Sequence, residues 1–235
     1  MKARRLRGWT SIPQRDTIVS EMVTIVSQQD MTLDLLASRI KVRLLRYLAA
    51  HEGMHTGRDL ARALGTPPTR TATALREMAS AGLLIRRRAA PAYLYSINRR
   101  HYLVSDILLP AFQAEQGWAE SLGQEVRVLG GRDIASVILY GSVARKTDTP
   151  ASDADLAVIV GPGGDRALVE EAVRARHGAL HERYGRAVSF LVIEEKEFRA
   201  RAARRDPLVS SVLAHGRVVA GQPISDILAG VTADG

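Results

Sequence analysis

Apolar residues from Leu33 onward recur at three- and four-residue steps, with Leu35, Leu36, Ile40, Leu44, Leu45 and Leu48 on one stripe and Arg43 and Arg46 between them. That period predicts a core helix with a basic outer face. After a break at Gly53, Thr56 can cap a second helix, with Asp59 near its positive end, Leu60, Ala61 and Leu64 inward, and Gly65 at its close. A third helix is expected with Thr66 as cap, Pro67 at the first position, and Ala72, Leu75, Met78 and Ala79 turned inward. Its outward positions, Thr69, Arg70, Thr73, Arg76 and Glu77, are mostly short hydrogen-bonding groups and guanidiniums. Gly82 closes it, and residues 83–88 and 93–98 read as two strands around Ala89-Ala90-Pro91.

Residues 105–130 form a helical connector in which Ile107, Leu108, Phe112, Trp118 and Leu122 share a side. Pro110 lies inside that pattern, so a break near Leu109 is expected, and Gly130-Gly131 marks a hinge. A run of large and β-branched residues, Ile134–Tyr140, then reads as a buried strand ending at Gly141. The remainder predicts a second strand through 157–160, a long polar helix over 165–184, a strand over 187–193, two helices over 194–204 and 206–215, and a short strand over 217–220. Residues 1–30 are expected to form a weakly ordered basic tail, with Met22 and Met31 as alternative starts, and 224–235 a frayed tail.

Charge divides the chain. Residues 31–104 hold thirteen Lys and Arg against four Asp and Glu, which exceeds the net charge of +8 carried by all 235 residues. The asymmetry argues for two modules and for a polyanion partner of the first. No cysteine occurs, so disulfides, thiolate nucleophiles and Cys-bound zinc are excluded. No apolar run reaches the length of a membrane span, and a cytoplasmic location without membrane contact is the expectation.

The densest candidate chemistry is the stretch from Gly141 to Leu156, GSVARKTDTPASDADL. Strand alternation puts Asp153 and Asp155 on the same face, and two adjacent carboxylates repel unless a cation lies between them. Hard oxygen ligands with room for phosphate oxygens suit Mg²⁺. Gly141 lets the backbone approach a phosphate closely, and Ser142 at a helix start offers a hydroxyl and backbone N–H groups. A P-loop is excluded because no glycine stands at the required spacing before Lys146-Thr147. His177 and His181, four apart on a polar helix, read as a surface pair and not as a metal site.

Gly141, Ser142, Ala144, Arg145, Ser152, Asp153, Asp155 and Leu156 together resemble the motif of the DNA polymerase β superfamily of nucleotidyltransferases, especially its minimal prokaryotic members. The resemblance implies Mg²⁺ or Mn²⁺ on Asp153 and Asp155 as catalytic carboxylates, and a nucleoside triphosphate, ATP foremost, on Gly141, Ser142, Arg145 and Ser152. It also implies a third carboxylate on a later strand, where this chain has Ser189, and many relatives carry Gly where Lys146 stands. A hydroxyl supplies neither the charge nor the general base, so transfer is expected to be slow or lost.

The helix, short helix, turn, helix and hairpin of the first half resemble a winged helix-turn-helix domain of bacterial and archaeal transcription regulators. That resemblance implies double-stranded DNA as partner, with Thr69, Arg70, Thr73 and Arg76 entering the major groove and Arg86, Arg87 and Arg88 lying along phosphate or minor groove. No aromatic stacking platform favours RNA, and a palindromic site usually requires a homodimer. The expected fold class is thus α+β, a winged helix-turn-helix over 31–104 followed by a nucleotidyltransferase-fold α/β sandwich with a small mixed sheet over 131–223. Its leading function is DNA-binding transcription regulation with a domain that holds Mg–NTP. The alternatives are an active nucleotidyltransferase modifying a protein or RNA hydroxyl, and an antitoxin-like partner of a small helical toxin protein.

Overall fold

The computed structural model describes residues 35, 37–145, 147, 149 and 152–230. The basic tail expected over 1–30, Leu33 and Leu36 of the first apolar stripe, Lys146, and the last five residues lie outside them. The chain forms two compact units, Met1–Phe112 and Gln113–Gly235.

The first unit is built from helix α1 (Arg39–Ala50), the two-residue strand β1 (His55–Thr56), helices α2 (Gly57–Leu64) and α3 (Pro68–Ser80), and the hairpin β2 (Leu84–Ala89) and β3 (Ala92–Ile97). The strands lie in the order β1-β3-β2, all antiparallel. Local chemistry explains α2: the Thr56 hydroxyl accepts from the Asp59 N–H, donates to the Asp59 carboxylate, and Gly65 ends the helix at φ +59°. Leu44, Leu45 and Leu48 of α1 meet Leu60, Leu75 and Met78 in one apolar core closed by Leu84, Tyr95 and Ile97.

Helix α3 departs from expectation at its start and on its inner face. Thr66 does not cap it; the helix begins at Pro68, and the Thr66 hydroxyl instead pairs with that of Thr71 at 2.8 Å. Thr71 also donates to the Pro67 carbonyl, and this pairing permits a fully buried threonine. Thr71, Ala74, Leu75 and Met78 face the core, whereas Ala72 is exposed.

The connector does not break at Pro110. Residues Leu103–Leu108 form a π-helical turn that runs directly into α4 (Leu109–Gly130). Pro110 lies just beyond that widened turn, where the wider hydrogen-bond spacing of the π-helix gives room for its ring and its missing N–H. The division between units falls at Phe112, inside α4, and not at Gly130-Gly131. Phe112 packs in the first core, while Ala119, Leu122 and Val126 pack in the second.

The second unit contains β4 (Ile134–Tyr140), a single turn α5 (Gly141–Ala144), β5 (Ala154–Val160), α6 (Arg166–Tyr184), β6 (Val188–Glu194), α7 (Glu195–Ala203), α8 (Pro207–His215), β7 (Arg217–Gly221) and α9 (Ile224–Ala229). Its sheet runs β6-β5-β4-β7, with β5 and β6 parallel and the other pairs antiparallel. One face, carrying Leu139, Leu156, Val158, Val188 and Val192, packs on α4 and α6. The opposite face, carrying Ile138, Ala157, Ile159 and Ile193, packs on α7, α8 and α9. Helix α4 comes close enough to β7 that a β-carbon on Gly123 would enter Val219. The frayed tail expected from 224 begins instead as α9, because Ile227 is buried against that second core and pins the helix to the sheet.

Candidate functional site

Tyr140 ends β4, and the chain turns at Gly141 with φ +74°, a conformation that disfavours any side chain. A β-carbon there would also collide with the Asp155 carboxylate, so Gly141 is the residue that lets backbone and carboxylate meet. Helix α5 is only one turn, which supplies local N–H groups and little macrodipole. The loop after it is tied back: the Thr147 N–H and hydroxyl both reach the Ser142 carbonyl, at 3.0 and 3.3 Å. On the far side of the loop, Ser152 accepts from the Thr149 N–H at 2.9 Å.

Strand β5 begins at Ala154, one residue later than the alternation argument for the two aspartates requires. Asp153 is exposed and precedes the strand, so alternation does not aim its side chain. The two carboxylates are nevertheless close in electrostatic terms. Burial pushes the Asp155 carboxyl up from its ordinary value, the Asp153 charge pushes it further, and the Arg145 guanidinium partly offsets both. Tyr140, cross-strand neighbour of Asp155, has its hydroxyl pKa raised by burial and then by the Asp155 charge.

Beside Asp155 in the parallel pair β5–β6 stands Ser189. Period-2 alternation puts Tyr140, Asp155 and Ser189 on the sheet face that also bears Ile138, Ala157 and Ile193. Ser189 is exposed at the sheet edge. Glu194 pairs with Val160 at the other end of the strand, and Glu195 is buried in α7 against Arg199, so neither lies in register with Asp155. Among the described residues no cluster of three or more His, Asp or Glu side chains is arranged to hold a metal. Asp153 and Asp155 are the two carboxylates of this corner that could share a divalent ion, which would draw its remaining ligands from water or a bound anion.

His177 is accounted for structurally: its Nε2 donates to the Val188 carbonyl at 2.9 Å and ties α6 to the edge strand. Tyr140 and Arg186 are residues of this corner that the sequence motif does not include. Tyr140 carries a usable signal, since alternation puts it with Ile138 one residue before the glycine turn. Arg186 carries no local signal, because its partners lie far away in the chain.

In the first unit, Thr69, Arg70, Thr73 and Arg76 form an exposed stripe on α3, with Arg76 reaching the Thr73 hydroxyl at 3.4 Å. Glu77 is drawn off that stripe by Lys41 of α1 at 2.9 Å. Arg86, Arg87 and Arg88 are all exposed on β2, and Arg86 lies over the Tyr93 ring at 4.7 Å. Alternation turns Arg87 to the opposite side of the hairpin from Arg86 and Arg88. Tyr95 is buried in the core, whereas Tyr93 stays exposed under its arginine.

Residues 120–219 match the family model described as a nucleotidyltransferase domain, and residues 37–92 match the MarR family. The chain joins a MarR-family winged helix to a nucleotidyltransferase domain. A search of the curated proteins found no match. Among solved structures, a toxin–antitoxin crystal structure with AMP-PNP is similar at 17% identity over 48% of this chain and 81% of that one, with a TM-score of 0.33. The solution structure of apo-NmtR is similar at 23% identity over 48% and 87%, TM-score 0.30. NadR in complex with 4-hydroxyphenylacetate is similar at 15% over 53% and 92%, TM-score 0.32. The fold is mixed α+β, as the two resemblances implied. No helix among the described residues is long and apolar enough to cross a membrane.

Proposed function

We propose that this protein is a DNA-binding transcription regulator whose second domain holds a nucleoside triphosphate, ATP foremost, with one Mg²⁺ or Mn²⁺, and transfers a nucleotidyl group slowly or not at all. The observation that carries the nucleotide half is the meeting of Gly141 and the Asp155 carboxylate, with Asp153 beside it. Asp153 and Asp155 would hold the ion, and Gly141, Ser142, Arg145 and Ser152 the phosphates. The bound ion supplies charge neutralisation at the α-phosphate. Ser189, in register with Asp155, leaves the acceptor without a base. Calorimetric titration of Mg–ATP into the full chain tests this half: saturable binding abolished by EDTA is expected, and a flat titration refutes it.

The DNA half rests on the exposed stripe of α3 and the arginines of β2. Binding to duplex DNA is expected to weaken steeply with salt. The triple change Arg86/Arg87/Arg88→Ala is expected to lower the log–log salt slope by about 2 to 3 units, since each arginine that neutralises a phosphate adds close to one. An unchanged slope and affinity would remove the wing from the interface. A homodimer on a palindromic operator is part of this reading and is checked by the stoichiometry of that complex.

A further inference from the structure

Asp153 lies one residue before the β-ladder, so strand pairing alone does not fix it. The residues on either side of it are both held from one place. The Arg186 guanidinium donates from Nη1 to the Ser152 carbonyl at 3.4 Å, and the Ala154 N–H donates to the Ala187 carbonyl at 2.8 Å. Two consecutive residues, 186 and 187, therefore bracket Asp153. The same guanidinium lies over the Trp118 ring of α4, 5.0 Å from its centroid. Nearby, Glu125 of α4 accepts from the Tyr184 hydroxyl at 3.1 Å and pairs with Arg183 at 3.2 Å, which fastens this stretch of α4 to the end of α6.

We infer that Arg186 is a positioning residue for the ion-holding corner and that it makes Trp118 a reporter of whether that corner is occupied. The inference rests on the nucleotide reading above. An ion drawn between Asp153 and Asp155 pulls on the Ser152–Ala154 backbone, and that backbone is linked through one rigid planar fork to an indole. A guanidinium shifted across an indole face changes the field on the ring, and the ring's emission follows. In this inference Arg186 acts through the Ser152 backbone and sets where Asp153 stands.

The test uses the full chain carrying Trp9→Phe, so that Trp118 is the sole tryptophan. Mg–ATP is titrated while Trp118 emission and heat are followed together. A change in emission that saturates with the calorimetric curve is expected. Arg186→Gln is expected to abolish that emission change and to raise the Mn²⁺ concentration for half-maximal binding of fluorescently labelled ATP about tenfold, the usual scale for losing a group that orients a metal ligand. Arg186→Lys, which keeps the charge without the fork, should fall between. Saturable heat with silent Trp118 emission overturns the inference while leaving the nucleotide site intact, and so does a folded Arg186→Gln variant with unaltered Mn²⁺ dependence. A flat calorimetric trace in the starting protein refutes the nucleotide reading itself, and the inference falls with it.

Discussion

Ser189→Asp is expected to raise the rate of nucleotidyl transfer from Mg–ATP by about 10² to 10⁴, the range a well-placed general base contributes. The parallel register puts residue 189 directly beside Asp155, on an adjacent strand about 4.8 Å away and on the same sheet face. A carboxylate there would complete a three-acid site of the kind the polymerase β resemblance implies, able to share a second ion and to take the acceptor proton. The same change should make the protein less stable without divalent ions, since three carboxylates would then repel, and Mg²⁺ should restore the loss. Ser189→Asn, close to aspartate in size and uncharged, should produce no gain. Label transfer from α-labelled ATP, scored against buffer and against Ser189→Asn, reads the result. If the aspartate variant binds Mg–ATP yet transfers no faster, the missing third carboxylate is not what holds the domain back.

How far this site can be read without coordinates depends on the range of the interactions that build it. The helices of the first unit are legible because capping and 3.6-residue periodicity are local: Thr56, Asp59 and Gly65 announce α2 within a short stretch of chain. The strands flanking the glycine turn are legible because buried strands are nearly pure apolar runs. Local signals fail where tertiary packing decides. Ala72 looks inward by composition, but the buried stripe that includes Leu75 and Met78 is completed by Thr71 and Ala74, and the Thr66 hydroxyl is what satisfies a buried Thr71. Pro110 reads as a helix breaker, but a π-helical turn absorbs it. Ile224, Ile227 and Leu228 stand at helical spacing, but the segment is only six residues long and what pins it is Phe198, Val209 and Val212 on other elements. Asp153 fits a strand by alternation, and only the backbone shows the strand starting one position later. Arg186 is invisible in the sequence, since Ser152 lies 34 residues away and Trp118 farther still.

Asp155→Asn should abolish Mg²⁺-dependent nucleotide binding and, in the same protein, raise its melting temperature in the absence of metal at neutral pH. Both effects have one cause. Burial and the Asp153 charge raise the Asp155 carboxyl above its ordinary value, so the fold favours the protonated, neutral form. A group whose folded pKa lies above its unfolded pKa contributes its stability fully below the unfolded value and loses it as pH rises through the folded value. As pH rises through the folded value the apo protein loses that contribution, because Asp155 then ionises against its surroundings. Asparagine presents the neutral form at every pH, so its advantage over aspartate should be largest near neutrality and vanish in acid, where Asp155 is itself protonated. A divalent ion reverses the balance: it favours the carboxylate, and the wild type with Mg–ATP should melt above the variant. Thermal melts from acid to neutral pH, with and without Mg–ATP, read both halves at once. A variant no more stable than the wild type at neutral pH would show that the carboxylate is not under strain, and one that still bound nucleotide in a Mg²⁺-dependent way would remove Asp155 from the site. The cost the apo protein carries at this residue would then come first from burial of the carboxylate and second from the Asp153 charge, and a bound cation would offset both.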